Sequence, residues 1–275
     1  NISYKVSKNT EQEKTALAAE HFGSRERTAS TDASIRYDDQ KKEFTLINEV
    51  QGDQIDESRL LSFVDQTLES DFTSHLLDDE TEITMGAECY QLPAVSAGEE
   101  MQGRLTALND QLRKYRSTTV TYTFGNSTEI LDSQTIASWI TIDGETIGID
   151  QEAAKTWISN LASSYDTIYV PRTFHTSYGN DVTISGNEYG FRIDQDGELA
   201  QLLEDLKSGT AVSREPVYSI RGMQRNGTDD LAGSYIEVSL DNQHLWLYKN
   251  GALVTETDIV SGAPTKERET YRGAW

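Results

Sequence analysis

One plan recurs three times in this chain and limits what it can fold into. The stretches GDQIDESRLLSFVDQTL (52–68), IGIDQEAAKTWISNL (147–161) and GFRIDQDGELAQLLEDL (190–206) each read as a short strand ending in Ile-Asp, then an amphipathic helix. The aspartates, Asp56, Asp150 and Asp194, fall where an N-cap belongs. A carboxylate there accepts from the free N–H groups of the first turn and faces the positive end of the helix dipole. The helices carry apolar residues three and four apart: Leu60, Phe63, Val64 and Leu68 in the first, Ala154, Trp157, Ile158 and Leu161 in the second, and Leu199, Leu202, Leu203 and Leu206 in the third. Such one-sided stripes are core-facing. A strand and a one-faced helix bury their apolar sides against each other, so an α+β fold is expected.

Further elements lie between these units. Thr10-Glu-Gln-Glu13 is a capping box, with Gly23 as the stop of the helix it starts. Met101, Leu105, Leu108, Leu112 and Tyr115 make one stripe of a helix over about 99–115. A shorter helix started by Asp132 or Ser133 carries Ile136 and Trp139. Strands are expected at Thr118–Phe124 and at Glu82–Tyr90, where Ile83, Met85, Ala87 and Cys89 share a face. TFHTSYGNDVTISG (173–186) reads as a hairpin.

From residue 217 helical periodicity disappears. Ile236, Val238 and Leu240 alternate, as do Leu245 and Leu247, and Asn250-Gly251 follows before Leu253. Asn-Gly suits a type I′ turn, whose two central residues need positive φ, so this region is a β-meander. The expected organisation is an N-terminal helical segment (1–30), a first α+β module (31–116), a second (117–216) and the β-rich region (217–275).

Composition narrows the partners. The net charge is −22 over 275 residues, yet residues 216–275 hold 6 Lys/Arg against 8 Asp/Glu. The acidity therefore lies upstream and argues against nucleic acid and an anionic lipid surface as partners, since both need basic patches. The 24 aromatics along the chain oppose disorder. No apolar run reaches the ~20 residues of a membrane span. One cysteine, Cys89, excludes an internal disulfide framework.

A search for chemistry finds no active site. No nucleophile elbow, phosphate-binding loop or dinucleotide glycine pattern occurs. His21, His75, His175 and His244 are far apart and lack metal-ligand spacing with Cys89 or a carboxylate pair. Asp194-Gln-Asp196-Gly197 suggests a calcium loop, but Arg192 and Leu203 occupy its first and last ligand positions, so it is a helix cap. Cys89, beside Glu88 on an apolar face, is a buried structural thiol. Trp139, Trp157, Tyr189 and Phe191 could form a sugar-stacking surface but are expected to fill module cores. The sequence therefore offers no catalytic, no cofactor-binding and no metal-ligating residue.

SYIEVSLDNQHLWLYKNGALVTETDIVSG (234–262) resembles the start of the YkuD-type L,D-transpeptidase catalytic domain. Thr270-Tyr271-Arg272-Gly273 matches that family's Thr-Pro-x-Gly segment only in part, with Tyr271 in place of proline. Upstream, Glu88-Cys89-Tyr90 with Pro93, Ile136 to Ile142, Arg172-Thr-Phe174, Gly186 to Phe191 and Arg214-Glu-Pro-Val-Tyr218 resemble the peptidoglycan-binding domain that precedes this catalytic domain in Gram-positive enzymes. The resemblance covers about residues 31–275. It implies two peptidoglycan-binding-like α+β modules followed by the opening strands of a β-rich catalytic domain. It also implies a cell-wall cross-linking acyltransferase acting through a cysteine thioester, with peptidoglycan stem peptides and glycan as partners and no cofactor. The family's catalytic histidine and Ser-His-Gly-Cys segment follow the Thr-Pro-x-Gly region and are expected beyond Trp275; His244, in the first hairpin, is not carried over. An extracellular, wall-side monomer is implied, anchored by an N-terminal transmembrane helix outside this chain. The alternative is a non-catalytic peptidoglycan-binding or surface stalk protein.

Overall fold

The structure is a computed structural model that describes residues 26–71, 84–262, 265, 267 and 268. The helix expected over Thr10–Gly23, the Leu68 side chain, Ile83, His21, His75 and the Thr270–Gly273 segment lie outside the described residues. Two compact units emerge, one up to Asn109 and one from Asp110 onward.

In the first unit, β1 (Ser34–Asp38) and β2 (Glu43–Ile47) form an antiparallel hairpin with Tyr37 opposite Phe44. Its inner face, Ile35 and Phe44, is buried. The Asn109 side chain extends the ladder of Phe44: its Oδ1 accepts from the Phe44 N–H at 2.8 Å and its Nδ2 donates to the Phe44 carbonyl at 2.9 Å. Helix α1 (Glu57–Asp71) starts at Asp56, whose carboxylate accepts from the Ser58 and Arg59 N–H groups. The strand expected before it is a single bridge, Ile55 to Tyr90.

A second correction concerns the strand expected at Glu82–Tyr90. Its described part holds a 3-10 turn, Ala87–Cys89, with Cys89 N–H donating to the Gly86 carbonyl. A 3-10 turn repeats every three residues, so the expected shared face does not form: Cys89 is buried while Ala87 is exposed. Helix α2 (Glu99–Ser117) follows, and of its expected stripe Met101, Leu112 and Tyr115 are buried.

The second unit is organised around β3 (Thr119–Phe124), where Val120, Tyr122 and Phe124 point inward and are 0–3% exposed. β4 (Ser127–Leu131) pairs with it antiparallel. Then come α3 (Ser133–Ser138), capped by Asp132, the hairpin β5 (Ile140–Asp143) and β6 (Thr146–Ile149), and α4 (Gln151–Tyr165), capped by Asp150. The hairpin β7 (Arg172–His175) and β8 (Asp181–Ile184) precedes β9 (Arg192–Ile193) and α5 (Gln195–Ser208). Asp194 caps α5, and Gly209 ends it in the left-handed conformation at φ 72°. β10 (Ala211–Arg214) returns parallel to β3, giving the order β10-β3-β4. The helix stripes close the core: Ala154, Ile158 and Leu161 from α4, and Leu199, Leu202 and Leu206 from α5, are buried.

β11 (Tyr218–Ile220) pairs with β9. The meander then forms as expected, with β12 (Tyr235–Ser239), β13 (His244–Lys249) and β14 (Ala252–Asp258) antiparallel in that order. Asn250 and Gly251 have φ of 50° and 77°, the turn geometry that this dipeptide permits.

Candidate functional site

The groups able to do covalent chemistry are not assembled. Cys89 is fully buried, and burial pushes its thiol above the ordinary value, with the Glu88 charge adding to the effect. A thiol held protonated is a poor nucleophile. His175 pairs through Nδ1 with Asp181 at 2.8 Å on its own hairpin, and both are exposed. His244 pairs with Asp258 at 2.7 Å and Glu256 at 3.6 Å across β13 and β14. Among the described residues no group of His, Cys, Asp and Glu is placed to hold a metal, and no described helix is long and apolar enough to cross a membrane.

The second unit instead contains two buried ionic centres that shape it. In the first, Glu198 lies on α5 with no solvent exposure. It accepts from the Tyr122 hydroxyl at 2.6 Å, from Arg214 at 2.6 and 2.9 Å and from the Val217 N–H at 2.7 Å. Arg214 also reaches Asp205 at 2.8 Å and lies over the Tyr122 ring at 5.1 Å. Burial and the negative Glu198 hold the Tyr122 hydroxyl well above its usual range. Burial opposes the charge on Arg214, but its bonds to Glu198 outweigh that and keep it protonated. Every member has partners, which a buried charge requires.

The second centre is Arg172. It pairs with Asp230 at 2.6 and 3.0 Å, the two side chains being 6% and 0% exposed. Nη1 donates to the Val170 carbonyl and to Asn187 Oδ1, and Nη2 shares its hydrogens between Asp230 and the carbonyls of Thr167 and Tyr189, all four further contacts being 2.9–3.0 Å. Gly190 makes room for this: at φ 135° a Cβ there would lie 2.6 Å from the Arg172 guanidinium. Nearby, Arg225 lies over the rings of Phe191, Phe124 and Tyr218 at 4.8, 5.0 and 5.8 Å and donates to the Tyr165 carbonyl. Burial pushes the Tyr218 hydroxyl up to about 12.

These centres account for two of the quoted motifs. Arg172-Thr-Phe174 supplies a hub, and Arg214-Glu-Pro-Val-Tyr218 supplies Arg214 and the Val217 amide to the other. Trp139 and Phe191 are buried in the core and Trp157 packs on Tyr122 at 5.5 Å, as expected of core aromatics. Glu198, Asp205 and Asp230 escaped sequence reading, because their partners are distant in the chain and acids are common in it.

One surface that could receive a ligand is a cleft of about 740 Å³ between hairpin β7–β8 and strand β12. Phe174, Tyr178, Val182 and Ile184 form one wall and Tyr235 to Leu240 the other, with Thr176 and Asn180 as polar groups. Its charged lining is Glu237 and Asp241, so it offers hydrogen bonds and aromatic faces without a cation.

A family profile described as "Putative peptidoglycan binding domain" matches residues 104–213. That span ends within β10, the strand that closes the sheet on β3. No curated protein matches the chain. Among solved structures, the chain is similar to the crystal structure of a cysteine-to-serine mutant of Enterococcus faecium L,D-transpeptidase. Identity is 29% over 60% of this chain and 64% of that one, with a TM-score of 0.46. It is also similar to the structure of the Ldtfm–avibactam carbamoyl enzyme, at 28% identity over 61% of this chain and 63% of that one, with a TM-score of 0.45. The chain thus spans under two thirds of the length of each. A peptidoglycan-binding domain is found at residues 104–213, in a mixed α+β chain whose solved structural neighbours are L,D-transpeptidases.

Proposed function

We propose that this chain is the wall-binding stalk and the opening catalytic strands of an extracellular, YkuD-type L,D-transpeptidase that cross-links peptidoglycan. The observation that carries the reading is the peptidoglycan-binding match at 104–213. It is supported by the order of the motifs on either side of it, ending in the meander over 235–258. In the complete reaction a cysteine thiolate, activated by histidine, attacks the carbonyl before the terminal D-alanine of a stem peptide. D-alanine leaves, and an amine of a neighbouring stem resolves the thioester into a cross-link. Hydrogen-bond donors aimed at the oxyanion stabilise both tetrahedral intermediates. The modules at 31–116 and 117–216 act as spacer and wall contact, and the catalytic region starts near residue 217.

A non-catalytic wall-binding stalk is the second reading, which the same match at 104–213 supports. Two measurements test the proposal. Insoluble peptidoglycan should retain this chain, and the chain should release no D-alanine from a tetrapeptide stem. Failure to sediment with peptidoglycan removes the wall-binding role. A Ser-His-Gly-Cys segment encoded after Trp275 supports the enzyme, and a stop codon there supports the stalk.

A further inference from the structure

Hairpin β7–β8 contributes little to the core of its own domain. Arg172 is its one buried residue, and all four residues of β8 are exposed. Its inward-turned groups land on the meander instead. Phe174 meets Tyr235 edge-on at 5.3 Å and Tyr178 meets Trp246 edge-on at 5.0 Å. Ser177, at the tip, donates its N–H to both Glu237 carboxylate oxygens at 3.0 and 3.1 Å and its hydroxyl to Glu237 at 2.6 Å. Ser177 Oγ also lies 2.7 Å from the Tyr248 hydroxyl.

The receiving residues share one face. Tyr235 pairs with Tyr248 and Glu237 with Trp246 across β12 and β13, and directly opposed residues point to the same side of a sheet. Trp246, on that face, is 6% exposed, whereas Ile236, Val238 and Leu240 on the other face are 61%, 43% and 62% exposed. The root of the hairpin is tied to the connection that leads into the meander, through the buried Arg172–Asp230 pair. Tyr189 adds a second tie, donating from its hydroxyl to the Asp230 carbonyl and accepting from the Met223 N–H, both at 2.9 Å. One hairpin therefore grips the meander at its tip and the preceding segment at its root.

We infer that hairpin β7–β8 is a bracket that fixes the orientation of the β12–β14 sheet on the peptidoglycan-binding domain, with Ser177, Tyr178 and Glu237 as its positioning residues. The bracket goes beyond the functional reading above and does not depend on it. Two anchors some distance apart prevent rotation about the connecting segment, which a single covalent link would allow. The sheet is thereby held at one angle to whatever the domain binds.

Residual dipolar couplings of the 275-residue chain test this. In the unmodified protein the amides of α4 and α5 and those of β12–β14 should fit one alignment tensor; a need for two overturns the bracket. In Ser177→Ala/Glu237→Ala with Tyr178→Ala, the α4 and α5 couplings should keep their internal fit while the β12–β14 amides lose the common tensor. A retained single tensor would overturn the assignment to the tip. Thr183→Ala, on exposed β8, should leave the single tensor intact, and its loss there would refute a role specific to the tip.

Discussion

At Glu198 and Arg172 single side chains collect partners from distant parts of the chain. Tyr122 and Glu198 are 76 residues apart, and Arg172 and Asp230 are 58 apart. Replacing Glu198 with alanine would leave the Tyr122 hydroxyl and the Val217 N–H without their acceptor, and Arg214 with Asp205 as its remaining carboxylate partner. Removing one partner of a buried ion pair costs about 3–5 kcal/mol, and denaturant unfolding of Glu198→Ala should show a loss of that order. Asp166 works in the opposite sense. It ends α4, and burial raises its carboxyl above the ordinary range, against the bond from the Ile193 N–H and the charges of Arg225 and Arg192. A helix C-terminus also disfavours a negative charge. Because the folded value is raised, the folded state binds this proton more tightly than the unfolded chain does. The contribution is fully present below the unfolded value of about 3.9 and is lost as pH rises through the folded one. Asp166→Asn keeps an acceptor for Ile193 and carries no charge. It should therefore melt above the unmodified protein at pH 7, with the gap closing by about pH 3. A lower Tm at pH 7 would contradict the sign.

Among the elements, legibility followed the range of the signal. Caps, apolar stripes and the Asn250-Gly251 turn are written within a few residues, and α1, α2, α3, α4, α5 and the meander stand where those signals put them. The 3-10 turn at Ala87–Cys89 was hidden, since a single three-residue turn is too short to impose its own period on the apolar residues around it. The parallel return of β10 onto β3 was also not readable, because nothing local tells a strand which distant edge it joins. The cleft needed the same kind of long-range information, joining residues 174–184 to 231–241. The repeated cap motif makes its own prediction. Asp194 accepts from the Gly197 N–H at 3.1 Å and opens the helix that carries Glu198. Loss of an N-cap acceptor costs about 1 kcal/mol, so Asp194→Ala should lower the unfolding free energy by that amount and the midpoint with it. It should do so without changing the denaturant slope, since the folded surface is unaltered. An effect as large as that of Glu198→Ala would mean that Asp194 does more than cap.

Across the whole molecule, charge decides what kind of wall contact is open to it. A net charge of −22 gives this chain no long-range attraction for the carboxylates and phosphates of a bacterial wall. The cleft repeats that property on a small scale, since its charged lining is acidic and the rest is aromatic, aliphatic or hydroxyl. Retention on peptidoglycan must then come from hydrogen bonds and stacking, which salt screens little, rather than from ion pairs between exposed groups, which weaken as the Debye length shrinks from about 10 Å at 0.1 M to 3 Å at 1 M. The fraction of chain sedimenting with purified peptidoglycan should therefore stay nearly constant between those two concentrations. Screening of the general repulsion would, if anything, raise it slightly. The control is a peptidoglycan preparation stripped of its anionic polymers, on which retention should be the same. A steep fall with salt would mean that a local basic patch carries the contact.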